Sequence, residues 1–88
     1  NNGGQMAYYP ILNIGFNSII SKNRIISIVQ PDSLPIRKLR KSAEENGKLI
    51  DATQGKRTKA VIITDSDHVV LSAISVETLI QRIQQIKE

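Results

Sequence analysis

Leu-Ile-Asp-Ala-Thr-Gln-Gly-Lys-Arg-Thr-Lys-Ala-Val-Ile-Ile-Thr-Asp-Ser-Asp-His-Val-Val-Leu-Ser-Ala, residues 49–73, holds three short apolar runs separated by two polar connections. The runs Leu49 to Ala52, Ala60 to Thr64 and Val69 to Ala73 are short and rich in β-branched residues, the composition of strands. The first two are joined by the basic, glycine-containing segment Thr53 to Lys59, read as a charged hairpin loop. The last two are joined by Asp65-Ser66-Asp67-His68, whose short polar side chains bond their own backbone in tight turns. Upstream, Ile11 to Ile14 and Ile25 to Val29 read as further strands bounded by Pro10, Gly15, Asn23 and Pro31, with a brief strand at Ser18 to Ser21 between them.

Two helices complete the pattern. Pro31-Asp32-Ser33-Leu34-Pro35 combines cap residues with a proline suited to a first helical turn, and Asn46-Gly47 supplies a stop. Between them Ile36, Leu39 and Ala43 form one apolar stripe, with Arg37, Lys38, Arg40 and Lys41 on the other faces. The pairs Arg40 with Glu44 and Lys41 with Glu45 have the spacing of helical ion pairs. Near the end of the chain, Ser75 caps a helix with a stripe of Val76, Leu79, Ile80, Ile83 and Ile86. The expected fold class is therefore α+β, with a mostly antiparallel sheet and two helices.

The chain has 88 residues, enough for one domain, and a domain this short buries only about 60% of the surface its unfolded chain exposes. Ile25 to Val29, Val61 to Ile63 and Val69 to Leu71 are nearly continuous apolar runs, which calls for cover on both sheet faces. Two short helices are too little for that, so either a neighbouring subunit packs on the remainder or the sheets fold over one another. The burial limit favours the neighbour. Residues 1–6, opening on the polar, glycine-rich Asn1 to Gln5 ahead of Met6, read as a cloning remnant or disordered tail, leaving residues 7–88 as the single domain.

The formal net charge is +4, unevenly spread. Residues 22–59 hold ten Lys and Arg against four Asp and Glu, a local +6, whereas residues 60–88 hold two against four. A field concentrated in part of a small domain attracts polyanions. With no cysteine there are no disulfides or thiolate metal sites, and no apolar run is long enough to span a bilayer as a helix. The expectation is a cytoplasmic protein without cofactor, membrane partner or small-molecule substrate.

Within the loop 54–59, three cations occupy four positions (Lys56, Arg57 and Lys59) beside Gly55, whose positive-φ conformations bring backbone N–H groups close to an anion. A nucleotide-binding P-loop is rejected, because Ile50 stands where its first glycine belongs and no helix follows. Arg24, at the entry to an apolar strand, either reaches a phosphate or lies over the sheet. His68 with Asp65 and Asp67 could be drawn as a metal or acid–base site, but a lone histidine makes a poor one and a tight turn accounts for all three. No serine has a nucleophile–base partner or glycine elbow, so the chain is read as not an enzyme. Tyr8, Tyr9 and Phe16 are the whole aromatic inventory, too few for a single-strand stacking platform, so duplex DNA held by its backbone fits better.

Four runs then carry a family resemblance: Asn-Ile-Gly-Phe at 13–16, Ile-Ile-Ser-x-Asn-Arg-x-Ile-Ser-Ile-Val at 19–29, Leu-Ile-Asp-Ala-Thr at 49–53 and Asp-Ser-Asp-His at 65–68. Over about Leu12 to Leu79 the chain resembles the RemA family, bacterial regulators of extracellular-matrix (biofilm) genes. The resemblance implies a nucleoid-associated, DNA-binding transcriptional regulator related to the LytTR type of domain, assembled into a closed homo-oligomeric ring of octamer size around which DNA wraps. Carried over by position, its DNA-binding residues are Arg24, Lys56 and Arg57, with Lys59 as the loop cation that follows. Similar proteins carry arginine at 56 and 59, and lysine keeps the charge there but loses the planar fork. They also carry glycine at position 17, where Asn17 tolerates positive φ. These cations are expected to converge on one outer face of each subunit. The alternative is a structural or protein-interaction module whose charge serves solubility, and a third is a metal-dependent hydrolase built on His68.

Overall fold

A computed structural model describes residues 10–85; the proposed remnant at 1–6, Tyr8, Tyr9 and Ile86 lie outside the described residues. The chain folds as β1 (Ile11–Gly15), β2 (Ser18–Ser21), a single 3-10 turn at Lys22–Arg24, β3 (Ile25–Val29), α1 (Leu34–Glu45), β4 (Leu49–Asp51), β5 (Ala60–Thr64), β6 (Val69–Ser72) and α2 (Val76–Gln84). β1 and β2 form an antiparallel ribbon, and the other strands form one sheet in the order β3-β5-β6-β4. The fold is α+β with two helices, as the sequence predicts. One pairing departs from expectation. β4 does not form a hairpin with β5 but runs parallel to β6, with Leu49 opposite Val69 and Asp51 opposite Leu71. The segment 52–59 is therefore a crossover from the sheet edge to β5, so its tip need not follow the geometry of a tight hairpin.

Both helices start where their serines predict. The Ser33 hydroxyl accepts from the Ile36 N–H (3.4 Å) and the Ser75 hydroxyl from the Thr78 N–H (3.2 Å), each satisfying a donor the first helical turn leaves without a partner. α1 carries the chain across one face of the sheet, from β3 at one edge to β4 at the other. Its buried stripe is narrower than expected: Ala43 is buried and Ile36 half-buried, but Leu39 is exposed and Arg40 is half-buried in its place. Neither Arg40 with Glu44 nor Lys41 with Glu45 closes into an ion pair, the sole one among the described residues being Arg24 with Asp65.

The continuous apolar runs split between two cores because the strand period is two. Val61, Val69 and Leu71 face α1 and pack with Ala43, Val29, Ile36, Leu49 and Ile63. Ala60, Ile62 and Val70 face the other way, against Leu12 and Ile14 of β1 and Val76 and Leu79 of α2. Much of the second face is thus covered by the chain's own ribbon and C-terminal helix, the sheet-over-sheet option, while Ile50 beside Val70 stays exposed. At the β3 edge, a bulge between Ile25 and Ser27 breaks the alternation. It turns Ile25 and Ile28 to the same core and leaves Ile26 outside, 66% exposed.

Candidate nucleic-acid interface

The basic loop is held by its own first residues. The Asp51 carboxylate accepts from the Thr53 N–H (2.9 Å) and the Thr53 hydroxyl (2.6 Å), an Asx turn that ends β4. These two bonds, the hydroxyl's first, hold the Asp51 carboxyl below the usual carboxylate range against a smaller opposing effect of burial, with a weaker pull from the Arg40 guanidinium of α1. Thr53 is buried, and its carbonyl accepts from the Lys56 N–H (3.0 Å). The two residues inside that turn, Gln54 (φ +52°) and Gly55 (φ +80°), are both left-handed, where glycine is unstrained and glutamine is not. Asp51 and Thr53 were legible as an Asx turn in the sequence but were not recognised there.

At its far end the loop is fastened to the ribbon through Ser72, which is wholly buried. The Ser72 hydroxyl donates to the Ile14 carbonyl (2.8 Å) and accepts from the Ile74 N–H (3.0 Å), while its carbonyl accepts from the Lys59 N–H (2.8 Å). One serine thereby fixes the basic loop relative to the β1–β2 turn. Lys56, Arg57 and Lys59 consequently line one hollow together with Gly15, Phe16, Ala73 and Ile74. No carboxylate lines it.

Arg24 is not part of this cluster. It closes the 3-10 turn at the opposite end of β5, where its Nε donates to both oxygens of Asp65 at 2.9 Å. With β5 between them, Lys59 and Asp65 are roughly 20 Å apart at the rise of an extended strand. Three of the four cations expected on one outer face thus share a hollow, and the length of β5 keeps Arg24 out of it. Both members of the pair are exposed, so it orients the guanidinium more than it stabilises the fold.

The histidine turn is tied to the backbone rather than opened as a site. The Thr64 hydroxyl accepts from the His68 N–H (3.1 Å), and the Thr64 N–H donates to the His68 carbonyl (3.1 Å). His68 Nδ1 lies 2.7 Å from the Ser66 hydroxyl. Asp67 takes a left-handed φ of +66°, and Asp65 is committed to Arg24. The tight turn is as expected, although Thr64 and Ser66 rather than the aspartates supply its side-chain bonds. Among the described residues no three His, Cys, Asp or Glu side chains are grouped to hold a metal, and no helix is long and apolar enough to cross a membrane.

Comparison with known proteins places residues 11–83 under the family model described as RemA-like, extracellular matrix regulatory protein A-like. Similar proteins in Thermodesulfovibrio yellowstonii (53% identical, 86% of this chain and 89% of that protein) and Pseudothermotoga lettingae (52%, 88% and 85%) are each named "Putative regulatory protein". So is one in Oceanobacillus iheyensis, 60% identical over 83% of this chain and 85% of its own length. The match runs along nearly all the described residues, and the chain belongs to the RemA-like family of bacterial regulatory proteins.

Proposed function

We propose that the protein is a DNA-binding transcriptional regulator of extracellular-matrix (biofilm) genes, related to LytTR domains and working at the nucleoid. Duplex DNA wraps a homo-oligomeric ring through contacts to the phosphate backbone. The observation that carries this reading is the grouping of Lys56, Arg57 and Lys59 on a loop braced at both ends, with no anion lining their hollow. Phosphate recognition needs cations held at fixed spacing, and their contacts supply affinity without reading sequence. Arg24 serves as a second station. It meets DNA about six base pairs along from the loop of its own subunit at a base-pair rise of about 3.4 Å, or beside the loop of the next copy in the ring. Exposed Ile19, Ile26 and Ile50 support self-association, since they present apolar surface on β2 and on both edges of the main sheet.

Those same isoleucines favour the second reading, a protein-interaction module without direct DNA contact. A gel shift separates the two. The DNA reading predicts a complex at moderate salt that is weakened by Arg57→Ala and by Arg24→Ala while the assembled mass is unchanged. An unshifted duplex at low salt would reject it.

A further inference from the structure

The hollow holding the loop cations also holds Phe16, the one Phe, Tyr or Trp among the described residues. Phe16 and Asn17 form the two-residue connection between β1 and β2, with Gly15 opposite Ser18. Both are left-handed, at φ +55° and +63°. Asparagine suits that backbone and a bulky ring does not. Phe16 is nonetheless held there, 43% exposed, beside Ile74 and Ala73. The Ser72 bonds to Ile14 and Lys59 fix the turn and the cations at one spacing, and Arg82 Nη1 donates to the Asn13 carbonyl (2.9 Å) to brace the ribbon from α2. The result is an apolar floor of about 420 Å³ with a purely cationic rim.

Phosphates satisfy such a rim but gain nothing from its floor. A ligand matching both must carry apolar surface directly beside its anions, as duplex DNA does in its deoxyriboses and base faces. Resting on the DNA-binding reading above, we propose that Phe16 is an apolar wedge. With Lys56, Arg57 and Lys59 on the flanking phosphates, its ring enters the minor groove and prises apart one base step. Wedges of this kind bend DNA toward the major groove, and pyrimidine–purine steps yield most easily. Phe16 therefore contributes sequence preference that the cations cannot.

The test uses the full chain and duplexes carrying 2-aminopurine at a central thymine–adenine step, whose fluorescence rises when the base unstacks. Wild type should bind with a fluorescence rise. Phe16→Asn suits the left-handed backbone and keeps every cation, so it should lose the rise, bind at least about fivefold more weakly and retain the salt dependence of the wild type. Phe16→Trp should keep the rise, and its indole, the sole tryptophan in the chain, should be quenched by DNA. Wild-type binding with normal salt dependence but no fluorescence rise overturns the wedge alone, as does Phe16→Asn binding at wild-type strength. A changed assembly mass in Phe16→Asn overturns it by placing the ring in a subunit contact. Loss of binding to phosphatidylglycerol vesicles in Phe16→Asn, with DNA binding intact, overturns it in favour of an anionic lipid. Absence of any duplex binding by wild type removes the DNA reading itself.

Discussion

Lysine at 56 and 59 sets the strength of the basic loop. An ammonium attracts phosphate as a point charge, whereas a guanidinium engages it through two parallel bonds. Lys56→Arg should therefore tighten DNA binding, and Lys56→Glu should weaken it by more than loss of one contact, both read from binding curves at fixed salt. Asp51 acts on the same loop from below. Its carboxyl is held below its usual range by Thr53, so the folded state prefers the ionised form. The stability this contributes is present above the unfolded value of about 3.9 and is lost as pH falls through the lower folded value. Thermal unfolding of Asp51→Asn should accordingly depend less on pH below about 4 than that of wild type. An identical acid profile would show that the carboxylate does not brace the loop.

Ser72 joins β1, β6 and the basic loop through three hydrogen bonds, and its consequences belong to the packing of β1 against β6. Ser72→Ala leaves the buried Ile14 carbonyl and Ile74 N–H short of a partner, which should cost about 1–3 kcal/mol in denaturant unfolding. DNA binding should weaken with it, although no charge has changed. Ile62→Ala, in the core beneath the ribbon, should cost about 2–5 kcal/mol. The elements themselves were legible because caps and β-branched runs are local signals: Ser33, Ser75 and the apolar strands mark the starts and stops that form. The pairing of β4 was not legible. Parallel partnership with β6 depends on α1 crossing the sheet face, and no residue near Leu49 announces it. Nor was the covering of the second face, because the ribbon meets the sheet through contacts distant in sequence, Ile14 with Ser72 among them.

For the whole molecule, the basic cluster was readable from composition, but its separation from Arg24 was not, since only the run of β5 between them sets it. A single subunit offers two cationic stations at opposite ends of the sheet, and repetition around an assembly would join them into a track. Exposed Ile50 and Ile19 lie on the short edge strand β4 and on the ribbon, bordering a common hollow. Ile50→Asp should lower the mass in solution and flatten the salt dependence of DNA binding together, because fewer linked subunits release fewer counterions. The most direct measurement is the slope of log affinity against log salt for duplex DNA, in wild type and in Arg57→Ala. Each phosphate neutralised contributes about −0.9, so contacts repeated over several subunits should give a slope of several units that Arg57→Ala makes shallower by more than one contact's worth. A shallow slope near that of a single contact, or a steep one that Arg57→Ala leaves unchanged, would contradict phosphate binding by the repeated loop.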